Sequence, residues 1–136
     1  MTVTLANLSG RTPAPEQDRP AARLSRPVIE VEIRRHLDAI RAGAAYRDSD
    51  HAAETMVKEP GLRVVLIALK AGGRLPKHRA RASITVQAVE GTVRLTVEGS
   101  TIELTEGSLV AVAAGVPHDL ETVAPGAVLV TMGGTQ

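Results

Sequence analysis

The chain has 136 residues, 43% of them hydrophobic and 23% charged, the balance of one globular domain with a single core. Sixteen Lys and Arg against fifteen Asp and Glu leave a formal charge of +1, so no whole-domain basic field exists to hold nucleic acid or an anionic membrane. The absence of cysteine excludes disulfides, thiol catalysis and cysteine-based zinc sites. The longest aliphatic run, Val64 to Leu69, falls far short of the roughly 20 residues of a membrane helix, and the first residues lack the charged and apolar regions of a secretory signal. A cytoplasmic protein is expected. Tyr46 is the only aromatic residue, which removes stacking platforms for bases or sugars and leaves the core to Ala, Val, Leu and Ile.

Residues 1–27 hold Pro13, Pro15, Pro20 and Pro27, half of all prolines, with Arg11, Arg19, Arg23 and Arg26 among them. Such a stretch buries little and breaks regular structure, so a flexible arm is expected; docking on the domain or on a second subunit is the competing reading. Over 28–43, Ile29, Ile33, Leu37 and Ile40 share one helical face, with Pro27 suited to the first turn, Gly43 to the stop and Glu30 spaced to pair with Arg34. His36 lies beside the stripe and reads as a partly exposed helix residue. The stripe must be covered, either by the chain's own sheet or by a partner's.

After Tyr46 the period becomes two, over 46–136. Strands are expected at 54–58, 62–70, 83–90, 92–98, 101–104, 108–113, 117–122 and 127–132, with glycine-containing turns between them. Thr92 to Val97 alternates cleanly, the mark of a sheet with one wet face, whereas 62–70 is apolar at nearly every position and reads as a strand covered on both faces. Short strands at this spacing give an all-β sandwich or barrel after one amphipathic helix.

Two stretches carry more than pattern. Gly72 stands five residues before His78, and Gly91 follows downstream in a Val-Glu-Gly phrase; Gly107, Gly115 and His118 form a second group that ends in Gly-Val-Pro-His. Together they resemble the two signature motifs of the small cupins, jelly-roll β-barrels, over roughly residues 50–132. The resemblance implies dimers and a barrel whose metal-binding members take two His and a Glu from the first motif and a His from the second. Here His78 and His118 match two ligand positions, while Ala80 replaces the second His and Ile84 the Glu. Ala113 stands where the family has Pro, and Thr122 where it has Asn. Two imidazoles without a carboxylate hold a divalent ion poorly. His51, Asp119 and Glu121 are the remaining donors of the right type, although strand parity sets Asp119 and Glu121 opposite His118.

Parity also suggests a lining. If His78 faces inward, Ala80, Ile84, Val86 and Ala88 share its side, while His118, Leu120 and Thr122 share a face of their own strand. The expected ligand site is therefore His78, Ile84, Val86, His118 and Leu120, two imidazoles in an aliphatic lining. Arg74, Lys77, Arg79 and Arg81 bracket His78 as a solvated basic rim or as a gate for anions; Gln87 lines a second surface or a subunit contact.

Three functions follow. The favoured one is a homodimeric cupin that binds a small, mostly apolar molecule through His78 and His118. The second is an enzyme of dioxygenase or isomerase type on the same two histidines, with one divalent transition metal or with the imidazoles as acid and base. The third is a structural or partner-binding domain that works through its helix and arm.

Overall fold

The computed structural model describes residues 27–134. The expected arm lies almost entirely outside them. The chain enters as an irregular segment, forms helix α1 (Ile33–Ala42) and a single-turn helix α2 (Ala44–Arg47), then runs through nine strands. These are β1 (His51–Glu59), β2 (Gly61–Leu69), β3 (Arg74–His78), β4 (Ile84–Glu90), β5 (Val93–Val97), β6 (Ser100–Leu104), β7 (Leu109–Val112), β8 (His118–Thr122) and β9 (Gly126–Gly134). Two antiparallel sheets result, one ordered β1-β2-β9-β4-β7 and the other β3-β8-β5-β6. The all-β architecture behind a helix is the one the sequence predicts. Among the described residues no helix is long and apolar enough to cross a membrane.

The helix is shorter than its expected span. Residues 28–32 lie outside the helix, with Glu32 in extended backbone, Ile29 and Val31 turned toward the body of the protein and Val28, Glu30 and Glu32 exposed. Val28, Ile29 and Val31 are β-branched and alternate with period two, which favours extended backbone over a helical start at Pro27. The anticipated Glu30–Arg34 pair is replaced by a long-range one: Arg34 Nη1 donates to Glu90 Oε1 over 2.8 Å. Gly43 does end α1, its backbone N–H bonding to the Ile40 carbonyl.

Strand β3 falls where a turn was expected. Pro76 and the charges around it hide the period, yet β3 pairs only with β8 and forms an edge of the smaller sheet. An edge is where a strand tolerates a proline and where exposed cations discourage pairing with other chains. At the opposite side of that sheet Glu98 (φ 49°) and Gly99 (φ 82°) join β5 to β6. Two successive positive φ values give the tight hairpin whose twist matches the flanking strands.

Two apolar layers hold the fold. Between the sheets lie Leu69, Ile84, Val86, Ala88, Val93, Leu95, Leu104, Val112, Leu120 and Val128. On the outside of the larger sheet, α1 covers Met56, Val57, Leu66, Ala68 and Ala127 with Leu37, flanked by Ile29, Ile33 and Ile40. The helical stripe is thus covered by the chain's own sheet. Burial of Leu37 contributes about 2 kcal/mol. Strand β2 links the layers: Leu66 and Ala68 meet the helix side, while Val65 and Ile67 point between the sheets.

Candidate functional site

The two sheets are sealed at one end and open at the other. At the sealed end Thr122 Oγ1 donates to the Lys70 carbonyl over 2.9 Å, beside the end of β2 at Leu69. Thr122 thus closes the barrel; it does not line the site, although it shares a face with His118 and Leu120. From there the inward rungs of the larger sheet climb from Ile67/Val128/Ala88 to Val65/Val130/Val86 and on to Met132/Ile84. On the smaller sheet they climb from Thr122/Val93 to Leu120/Leu95 and then to His118/Val97. His78 pairs with His118, so both imidazoles stand at the open end.

A cavity of about 130 Å³ lies between these rungs. Val65 and Ile67 of β2, Leu75 and His78 of β3 and Ile84 and Val86 of β4 form part of its wall. Leu95, His118, Leu120, Val130 and Met132 complete it. All five residues expected from the sequence, His78, Ile84, Val86, His118 and Leu120, meet there. Ala80 packs against the inter-sheet core without reaching the cavity, and Ala88 is fully buried beneath it. The volume is close to the roughly 150 Å³ that accepts a single benzene ring.

The two histidines are not equivalent. His118 is buried at 3% exposure, whereas His78, expected inside the barrel, stands exposed on its rim. Edge strand β3 leaves one side of His78 uncovered. Their rings meet edge to face, with centroids 4.4 Å apart and planes at 62°. Both use the same local device. His78 Nδ1 lies 2.9 Å from the Pro76 carbonyl and His118 Nδ1 lies 3.0 Å from the Val116 carbonyl, each two residues back. A carbonyl only accepts, so Nδ1 carries the proton in both rings, and in the neutral imidazoles Nε2 keeps the lone pair.

An Nδ1–H anchored on a backbone carbonyl is the usual support of a metal-binding imidazole, so these two rings are suitable donors. The rest of a metal set is missing. Ala80 and Ile84 offer no lone pair. Asp119 and Glu121 alternate onto the outer face of β8, opposite Thr96 and Arg94. His51 Nδ1 is engaged by Asp50 Oδ1 at 2.7 Å, a hydrogen bond that, with support from the Arg74 backbone N–H, holds the Asp50 carboxyl below its ordinary range. Among the described residues no group of three or more His, Asp or Glu side chains could hold an ion. The residues present therefore do not fit the three-ligand centre that activates water or oxygen.

Arg74, Lys77, Arg79 and Arg81 are all exposed, on β3 and the loop after it. Gln87 is partly buried on β4, between Leu109 and Leu129 and facing away from the cavity.

A profile of the cupin domain matches residues 65–132, half of the chain and the whole of the cavity wall. The chain belongs to the cupin family. Solved cupins share its fold. A cupin superfamily protein from Desulfitobacterium hafniense superposes with a TM-score of 0.60 at 12% identity, over 62% of this chain and 77% of its own. A cupin from Shewanella frigidimarina does so with 0.61 at 23%, over 65% and 79%. A mutant salicylate 1,2-dioxygenase from Pseudoaminobacter salicylatoxidans, in complex with gentisate, reaches 0.71 at 20%, over 79% of this chain but only 34% of its own. At these identities the likeness is one of fold. No curated protein matches the chain.

Six wall residues escaped the sequence reading: Val65, Ile67, Leu75, Leu95, Val130 and Met132. Leu75 belongs to the unrecognised strand. The others share inward parity with residues that were recognised, but parity assigns a face only once the strand register is known.

Proposed function

We propose that this cupin binds a small, mostly apolar molecule of about one ring between its sheets, with the polar end at His78 and His118. The observation that carries this reading is the combination of nine aliphatic or thioether side chains with two carbonyl-anchored imidazoles around one cavity of about 130 Å³. The apolar wall supplies affinity through desolvation, and the Nε2 lone pairs accept a hydrogen bond from the ligand. A metal-dependent oxygenase has less support, because only two protein donors face the site. A purely structural role leaves an open apolar cavity with polar groups at its mouth unexplained.

The test is calorimetric titration with benzyl alcohol, a one-ring probe with a single hydroxyl, against wild type and Val86→Phe. Val86 is almost fully buried on the cavity wall, and a phenyl ring there fills the space a ligand needs. Saturable binding to wild type, weakened at least about tenfold in the folded variant, is the expected result. Equal binding to both proteins, or none to wild type, overturns the reading.

A further inference from the structure

The open end of the barrel holds a third polar group. Arg63 stands in β2 two residues before Val65 and four before Ile67, both of which line the cavity, so strand alternation turns it to the same face. Its register partner on β9 is Met132, which also lines the cavity and in turn faces Ile84. Leu62 and Val64, its chain neighbours, pack on the helix side. Arg63 therefore belongs to the rung just beyond Val65/Val130/Val86, at the end of the barrel where His118 and His78 stand.

Its electrostatic setting is unusual. Arg63 Nε is buried without a hydrogen-bond partner. Arg41 Nε is also unpaired, but the rest of that guanidinium grips Glu90. Arg63, a half-buried residue just beyond the cavity wall, has no such compensation among the described residues. Directly opposite it on β1 stands another cation, Lys58, and the alternation of β1 turns Glu59 the other way, opposite Leu62. Among the described residues no carboxylate lies within ion-pair distance of Arg63 or Lys58. Like charges opposed across a strand pair destabilise a sheet, and a buried unpaired guanidinium N–H costs further stability. An anion at the barrel mouth would relieve both, and a carboxylate matches the planar fork of arginine.

We infer that Arg63, supported by Lys58, is the anion-recognition residue of the cavity, and that the ligand is a small apolar carboxylate. This rests on the reading of the cavity as a ligand site and adds the chemical class of its occupant. The hydrocarbon part lies along Val65, Val86, Val130 and Met132, and its charged end turns toward Arg63 at the mouth. The imidazoles act on whatever second polar group the molecule carries.

The experiment compares two probes of one ring, benzoate and benzyl alcohol, by calorimetric titration of the full chain at low salt. Wild type, Arg63→Met and Arg63→Lys are measured, with thermal melts of each. Wild type is expected to prefer benzoate by at least about tenfold, Arg63→Met to lose most of that preference and Arg63→Lys to keep much of it. Arg63→Met is also expected to melt no lower than wild type, because it removes an uncompensated charge; a merely structural arginine would lower the midpoint. Equal affinity of wild type for the two probes, or an undiminished preference for benzoate in Arg63→Met, overturns the assignment while leaving the cavity a binding site. Failure of both probes to bind wild type overturns the cavity reading together with it.

Discussion

Replacing Glu90 with glutamine removes a charge at the point where α1 is fastened to the sheet. Arg41 grips both carboxylate oxygens, at 3.0 and 2.5 Å, and Arg34 adds a contact of 2.8 Å. Arg41 and Glu90 are 23% and 25% exposed, so this pair is better shielded than an ordinary surface ion pair; Arg34 is 58% exposed and adds less. The hydrogen bonds from Arg41 and then Arg34 hold the Glu90 carboxyl at about 2, against an ordinary 4.5. At about 1.4 kcal/mol per pKa unit the displacement corresponds to at most about 3.5 kcal/mol, which solvent screening reduces to about 1–2 kcal/mol. Because the folded-state value is depressed, this stability is present in full above the unfolded value of 4.5. It is lost as the pH falls from about 5 toward 2. Urea denaturation followed by far-ultraviolet circular dichroism, at pH 7 and at steps down to 3, measures both effects. Glu90→Gln should be about 1–2 kcal/mol less stable at pH 7, and the difference between the two proteins should shrink as the pH falls. A variant as stable as wild type at pH 7, or a difference that stays constant with pH, would refute the argument.

Two further variants probe the frame and the site. At Gly73 a Cβ would lie 2.6 Å from the Asp50 carbonyl oxygen and 2.8 Å from that of Lys70, both rigid backbone atoms at the sealed end of the barrel. Gly73→Ala is therefore expected to cost at least about 2 kcal/mol and to lower the melting midpoint by about 8 °C or more; a shift under about 2 °C would contradict this. Placing donors at the two unfilled cupin ligand positions, in Ala80→His/Ile84→Glu, should raise transition-metal content toward one ion per chain by elemental analysis after loading and desalting. Wild type treated alike should stay well below that level. Equal metal in both proteins would show that Ala80 and Ile84 are not what limits metal binding.

The parts of the fold legible in sequence are those where one force dominates. Thr92 to Val97 alternates because β5 has one face on the core and one in water, and the strand, Val93–Val97, follows that alternation almost residue for residue. Ile84, Val86 and Leu120 could be placed on the cavity wall by parity within their own strands. Strand β3 was hidden because an edge tolerates Pro76 and its neighbouring charges, which mask the alternation around Leu75. The start of α1 was misplaced because Ile29 satisfies the helical stripe and also an extended segment, and local β-branching chose the second. Arg63 was not legible as a site residue because its strand reads as apolar at nearly every other position. A single charge inside such a strand was the available signal, but its unpaired state depends on the register of β1 and β9. The contrast between buried His118 and exposed His78 likewise comes from strand order, which no local pattern encodes.

Ligand binding between the sheets is read residue by residue in a methyl-resolved NMR titration of isoleucine-, leucine- and valine-labelled protein with benzyl alcohol, repeated on His78→Ala/His118→Ala. Saturable shifts are expected, concentrated at Val65, Ile67, Ile84, Val86 and Val130, with the exposed methyls of Val28, Ile102, Leu109 and Val123 unmoved and the affinity reduced in the double variant. Shifts spread over the exposed methyls, or cavity methyls that never move, would contradict it.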